Sequence, residues 1–195
     1  MAIIATGGKL HWNYLLALDR DMEAVSRYIE FTTANENVYS IELAHLLFAA
    51  ASEVDVVAKL VCEQVDPTAR RANIDDYRSI LASHLPHLAD TAVHVPRYGM
   101  SFRPWENWAT GRNPDWWRSY NNVKHERDRY FQEATLKHAL NSLGALLLLC
   151  FHHYSRSLGM SVNAMPHPRE VTRQLSPATS LIRFDEGWYD DVVIV

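Results

Sequence analysis

Five polar residues near the middle of the chain have the types and the spacing that phosphate chemistry requires. They are Arg118, Asn121, Asn122, His125 and Arg129. On a helix they would share one face, with Asn121 at its edge. Histidine exchanges a proton near neutral pH, and the planar guanidinium of arginine matches a phosphate. Together they suit metal-free phosphodiester cleavage, in which a histidine acts as general acid or base and an arginine stabilises the charge developing on phosphorus.

An ordinary solvated helix face would also contain such residues. Glu126 and Asp128 lie among them and fit that alternative, which the spacing alone does not exclude. If the face is a site, Lys124 joins Asn121, Asn122 and Arg129 as a binding residue beside the pair Arg118 and His125.

Arg127 is expected in the apolar arc of the same helix, opposite the polar face. A charge in that position must be paired or must extend its end into water. Glu53 lies next to the apolar stripe of an earlier helical segment and needs a partner if it is partly buried. Glu53 and Arg127 are therefore predicted to be structural polar residues, and a contact between them is one option.

Helical periodicity dominates the chain from residue 10 to residue 158. Ser40 and Asn73 are suited to cap two of the helices, and Pro114 suits the first turn of another. The predicted helices cover residues 10–31, 41–65, 74–84, 115–134 and 135–158. The stretch from 88 to 113 is predicted to be a long connection or a small hairpin that wraps over the core.

The predicted fold is therefore all-α, a bundle of about five helices over residues 1–159. Residues 160–195 form a β-prone extension that packs on the core or on a partner. Two strand-like runs, SLIRF and VVIV, flank Gly187 and Trp188 there, and the exposed apolar end is not expected to remain free in water.

Composition limits the classes of function. The chain has 195 residues, 48% of them hydrophobic, which suits one compact domain. A net charge of −4 predicts no general attraction to nucleic acid. The charge is uneven, however, with ten acidic and three basic residues over 19–66 against eight acidic and eleven basic over 67–137. This pattern fits either an acidic face and a phosphate-tolerant face, or two differently solvated faces.

Neither a membrane span nor a metal site is predicted. The most apolar run, residues 143–151, is far shorter than the roughly 20 residues that cross a bilayer. The two cysteines lie in apolar helical patterns without disulfide spacing, which favours a reducing cytoplasmic setting. His84 and His87 have no acidic or cysteine partner nearby, and the adjacent His152 and His153 cannot readily face one metal from a helix. No cofactor motif is present.

The spacing of Arg118, six residues and then His125 resembles the R-x(4–6)-H signature of HEPN domains. The segment WWRSYNNVKHERDRYF, the following TLKHALNSLGALLLL and the earlier YSIELAHLLFAAASEVDVVAKLVC look similar to uncharacterised bacterial HEPN-like proteins. Together these segments make up 55 of the 195 residues. A second match to the signature joins Arg78 and His84.

The resemblance implies an all-helical homodimer in which two copies form one metal-independent ribonuclease site of the toxin or defence type. Arg118 and His125 would be its catalytic pair, RNA its substrate, and a cognate antitoxin or regulatory protein its partner. Ser119 follows the arginine, where the family often has Asn, Asp or His. Two alternatives remain open: a non-catalytic module that binds RNA, a nucleotide or a partner protein, and a structural protein whose polar face only forms a dimer contact.

Overall fold

The computed structural model describes residues 8–157 and 168–189, and this part of the chain is mostly helical, as the sequence predicts. Its α-helices are α1 (Leu10–Val25), α2 (Ile41–Val65), α3 (Ile74–His84), α4 (Asp115–His125), α5 (Arg127–Tyr130), α6 (Leu136–Ser157) and α7 (Pro168–Gln174). Two short antiparallel strands, β1 (Val93–Val95) and β2 (Met100–Phe102), pair with His94 opposite Ser101.

Helices α2 and α6 are the long central pair, and they run parallel. Their starts are joined where the backbone N–H of Leu136 donates to the carbonyl of Val38 at 2.9 Å. Their ends meet where Gln64 Nε2 donates to His153 Nδ1 at 3.1 Å. The facing sides are almost entirely apolar and fully buried. Hydrophobic burial along this seam is the main source of the fold's stability.

Helices α1 and α4 pack against the central pair and run antiparallel to α2. The start of α1 meets the middle of α2 through His11 and Glu53, and the end of α1 lies beside the first turns of α2. The end of α4 reaches the start of α2, where Val123 packs on Ala44. The result is a bundle in which the polar face of α4 is exposed.

Local signals set several helix ends as predicted. The Ser40 hydroxyl accepts the backbone N–H of Leu43 at 3.1 Å, and the Asn73 amide oxygen accepts those of Asp75 and Asp76. Both predicted caps are thus confirmed, as are the bounds of α2 and α3. The first helix ends at Val25, six residues earlier than predicted, because the chain turns there and buries Phe31.

The predicted helix over 115–134 is broken at Glu126. This residue has φ −138° and ψ 55°, outside the helical region. The chain then forms the single turn of α5 and a short 3-10 segment, which brings the Phe131 ring within 5.5 Å of the Tyr39 ring. The aromatic contact and the burial of Ala134 fix the new direction. Arg129 consequently does not continue the face of α4.

The connection over 88–113 contains the small hairpin and a cluster of tryptophans. Trp105 is fully buried, with its ring 4.2 Å from that of Trp108 and 5.4 Å from that of Trp116. Trp116, in the first turn of α4, donates its indole N–H to the carbonyl of Pro104 at 2.8 Å. The tryptophan cluster therefore sets where α4 begins.

The described part of the C-terminal extension packs on α1 and on the hairpin. Asp19 of α1 is only 1% exposed, and its carboxylate accepts the backbone N–H groups of Ser180, Leu181 and Ile182 at 2.6 to 3.1 Å. Among the described residues, the predicted SLIRF strand forms one bridge, between Arg183 and His94. The VVIV run lies outside the described residues.

Within residues 8–157 and 168–189, no helix combines the length and the apolar character that a membrane span requires. The two cysteines are free and buried, and burial raises the pKa of the Cys62 thiol to about 12.

Candidate functional site

Arg118 and His125, the predicted catalytic pair, lie on one exposed face of α4. His125 lies seven positions after Arg118, which is two helical turns and about 10.5 Å along the axis. The Arg118 side chain is 69% exposed and its guanidinium lies 3.2 Å from the Asp115 carboxylate. His125 ends the helix, is exposed, and has no hydrogen-bond or ion-pair partner in the part of the chain that the structure describes. Within one copy, therefore, no described group orients the imidazole.

The two asparagines of the face are held by local contacts. The amide of Asn121 donates to the carbonyl of Trp117 one turn earlier at 2.9 Å. The amide of Asn122 donates to the Glu133 carboxylate at 3.0 Å and so ties α4 to the segment after its break. Both side chains are half-buried, so they line the face with fixed polar groups.

Of the two predicted flanking cations, one stays on α4. Lys124 donates to the Tyr120 hydroxyl at 3.2 Å, and its ammonium lies 5.3 Å from the centre of that ring. Arg129 of α5 instead pairs at 2.9 Å with Glu126, the residue between α4 and α5. The break at Glu126 thus removes Arg129 from the continuous face on which helical spacing placed it.

The suggested contact between Arg127 and Glu53 is wrong. Arg127 is exposed, and its guanidinium lies 4.9 Å from the centre of the Phe131 ring. Glu53 does need a partner, but that partner is His11 of α1, whose Nδ1 lies 2.5 Å from Glu53 Oε1. Arg127 does not lie in the apolar arc of α4, because α4 ends at His125.

An open groove of about 450 Å³ runs beside α4. Its lining comes from α4, the first residue of α3 and the turn before α4: Ile74, Arg112, Asn113, Asp115, Trp117, Arg118, Asn121 and Asn122. An indole, two guanidinium groups and three amides face one space. Such a lining can take a planar ring together with an anionic group.

The second match to the signature is part of the scaffold of this groove. Arg78 pairs with Asp75 at 3.0 Å and hydrogen bonds to Asn113, which fastens α3 to the groove wall. His84 lies elsewhere, with its Nδ1 2.9 Å from the carbonyl oxygen of Ile80. The structure therefore engages Arg78 and His84 in separate local contacts and does not form a site from them.

The structure contains a second polar cluster that the sequence analysis does not predict. It joins α1, α2 and α6 through His11, Glu53, Gln64 and His153, and the rings of the two histidines are 5.5 Å apart. The only signal was Glu53, since His11 and His153 are remote from it in sequence. No group of three or more His, Cys, Asp or Glu side chains among the described residues has a geometry that could hold a metal ion.

Buried histidines at the end of α6 should make the protein sensitive to acid. Burial, and then the charge of Arg156, lowers the pKa of His152 to about 3. Between pH 6.5 and 3 the unfolded chain binds a proton there that the folded chain does not. The contribution of His152 to the free energy of unfolding is therefore fully present above pH 6.5 and is lost as the pH falls towards 3. The free energy of unfolding can be measured in urea at several pH values between 6 and 4. His152→Leu should reduce the dependence of this free energy on pH by about 1.4 kcal/mol per pH unit.

A matched control for this experiment is His45→Leu, because the His45 side chain is 61% exposed on α2. The unfolding free energy of this control variant should depend on pH as that of the unmodified protein does. An unchanged slope in His152→Leu would show that His152 is not held neutral by the fold.

Comparison of the chain with protein-family models, with curated proteins and with solved structures gives no match.

Proposed function

We propose that this chain is a HEPN-like, metal-independent endoribonuclease of the toxin or defence type, and that two copies form its site by bringing their α4 faces together in the cytoplasm. The observation that carries the proposal is the position of Arg118 and His125 on one exposed face, with the imidazole left without a partner in the described part of the chain. A catalytic base must be accessible to its substrate, and His125 meets that condition. A cytoplasmic setting is supported by the two free, buried cysteines.

The proposed reaction needs only protein side chains and RNA. His125 takes the proton from a ribose 2′-hydroxyl, and the oxygen attacks the adjacent phosphorus. A 2′,3′-cyclic phosphate forms, the bond to the 5′-oxygen breaks, and this oxygen receives a proton from the same histidine of the second copy. Arg118 stabilises the negative charge that develops on the phosphoryl oxygens. Two copies are proposed because one histidine must take a proton while a second donates one, and α4 contains a single histidine, His125.

A second candidate is a non-catalytic module that binds RNA, a nucleotide, or a partner such as a cognate antitoxin or regulatory protein. It is favoured by the ion pair between Arg118 and Asp115 and by the contact between Asn122 and Glu133. Both engage polar groups of the face before any substrate arrives. A binding surface tolerates such pairs better than a catalytic centre does, since exposed ion pairs are weak and exchange easily.

The test is cleavage of a labelled single-stranded RNA in excess EDTA. His125→Ala is expected to reduce the rate by about 10² to 10⁴, the usual contribution of general acid–base catalysis. Arg118→Ala is expected to reduce it by about 10² to 10³. Far-UV circular dichroism should confirm that both variants keep the fold, because both side chains are exposed.

Two matched controls test the assignment of the face. His45→Ala removes an exposed histidine from α2, and Arg70→Ala removes an exposed arginine that is paired with Asp76 as Arg118 is with Asp115. Neither should change the rate. Cleavage that persists in His125→Ala would overturn the site assignment.

Three outcomes separate the candidates. Cleavage that depends on His125 supports the ribonuclease. Binding without cleavage, with an affinity that falls linearly in log–log form as salt rises, supports the module instead. If neither is seen and Arg118→Ala changes only the dimer affinity in analytical ultracentrifugation, the α4 face is a structural dimer contact.

A further inference from the structure

We infer that the groove beside α4 binds one unpaired RNA nucleotide, with its base against Trp117 and its phosphate at Arg112. This inference rests on the proposed action on RNA, and it names the form of RNA that the site selects. It depends on residues that the catalytic assignment does not use.

The groove has the size and the aromatic wall that a nucleobase needs. Its volume of about 450 Å³ is within the range of small-molecule sites. Trp117 is half-buried, and its ring lies 5.8 Å from that of Trp116 and 5.5 Å from that of Tyr120. These neighbours hold the indole in place while part of it faces the groove. A fixed indole is a stacking surface for any base, because every base has a π face.

The charges at the groove favour a phosphate on the side of Arg112. The Arg112 side chain is exposed, and its one hydrogen bond to a described residue runs from Nε to the Thr110 hydroxyl at 3.3 Å. Both terminal nitrogens therefore remain for a phosphate, which guanidinium binds through two parallel hydrogen bonds. Asp115 repels an anion, but it is neutralised in part by Arg118 at 3.2 Å. Its carboxylate can instead accept a hydrogen bond from a base amino group.

The groove also leads towards the proposed catalytic residue. Asn121 lines it, and His125 follows one turn later on the same side, about 6 Å further along the axis. A strand whose base occupies the groove would therefore continue past His125. Double-stranded RNA cannot bind in this way because its bases are stacked within the helix, and their faces are not accessible. The groove thus selects an unpaired nucleotide.

The experiment measures binding of a 2′-O-methyl RNA oligonucleotide that contains one 2-aminopurine, either single-stranded or annealed to its complement. The methyl groups prevent cleavage at every position. With the unmodified protein, we expect quenching of 2-aminopurine fluorescence and tighter binding of the single strand. Trp117→Leu should weaken single-strand binding by about tenfold to a hundredfold, and Trp117→Phe should retain most of it.

Matched controls are Trp188→Leu, a half-buried tryptophan of the C-terminal extension, and Arg70→Ala, an exposed arginine that does not line the groove. Both should bind as the unmodified protein does. Arg112→Ala should weaken binding by about tenfold and reduce the salt dependence by about one phosphate contact. Trp117→Phe decides the matter if Trp117→Leu does not fold, since loss of binding in a folded Trp117→Phe variant would contradict stacking.

The outcomes distinguish this inference from the proposed function. Suppose that cleavage depends on His125 but that substitution of Trp117 and Arg112 does not change the affinity for RNA. The inference about the groove is then overturned, and the proposed ribonuclease activity is supported. If binding depends on Trp117 and Arg112 but no cleavage occurs, the groove stands and the catalytic assignment is overturned. Equal binding of the single strand and the duplex overturns the selection of unpaired nucleotides.

Discussion

Asp19→Ala is expected to lower the free energy of unfolding by about 3 to 5 kcal/mol and to release the C-terminal extension from α1. The carboxylate of Asp19 receives three backbone N–H groups, from Ser180, Leu181 and Ile182, and also the Ser180 hydroxyl at 2.9 Å. Alanine has no carboxylate, so these donors lose the hydrogen-bond acceptor that Asp19 provides. The donors of Leu181 and Ile182 are buried, and each buried unsatisfied donor costs about 1 to 3 kcal/mol.

The measurement combines urea unfolding with limited proteolysis. Asp21→Ala is the matched control, because Asp21 is an exposed aspartate two residues further along α1. It should change the unfolding free energy by less than about 0.5 kcal/mol. Cleavage near residue 180 should become much faster in Asp19→Ala only. Equal protease resistance of the two variants would show that Asp19 does not hold the extension.

Trp105→Ala should cost about 3 to 5 kcal/mol, whereas Trp105→Phe should cost less than half as much. Trp105 is fully buried between Trp108 and Trp116, so alanine leaves a large cavity under the start of α4. The indole N–H of Trp105 is buried and has no hydrogen-bond partner among residues 8–157 and 168–189. Phenylalanine loses part of the packing but also removes this unsatisfied donor, which offsets some of the loss.

Thermal or urea unfolding of both variants tests this comparison. Tyr14→Ala is a suitable control, because Tyr14 is an aromatic residue that is 42% exposed on α1. Its unfolding free energy should change little. A Trp105→Phe variant as unstable as Trp105→Ala would show that the unsatisfied N–H carries no cost. Because Trp116 packs on Trp105, Trp105→Ala should also weaken any RNA binding at α4.

Much of the helical structure is predictable because it depends on near neighbours. Ser40 and Asn73 cap α2 and α3 through side chains that reach only two or three residues ahead. The break at Glu126 is different, since it depends on the contact of Phe131 with Tyr39, far away in sequence. The partner of Glu53 was not predictable for the same reason, as His11 lies 42 residues away.

The same distinction between local and distant contacts applies to the candidate site. Helical spacing is enough to place Arg118 and His125 on one face of α4. It gives no information about the groove, because Ile74 of α3 and Arg112 of the preceding turn complete its wall. Nor does it show that Asn122 reaches Glu133 beyond the helix break. Residues on one helix can thus be assigned from periodicity, whereas a cavity between elements needs the three-dimensional fold.

The parallel pairing of α2 and α6 has a consequence for folding during synthesis. Leu136, the first residue of α6, follows Val65, the last of α2, by 71 positions. At about 5 to 20 residues per second, the apolar face of α2 waits on the order of ten seconds for its partner. Contacts this distant in sequence also slow folding, because a long loop must close before they form. The nascent chain therefore exposes the apolar face of α2 that pairs with α6 until α6 has emerged from the ribosome.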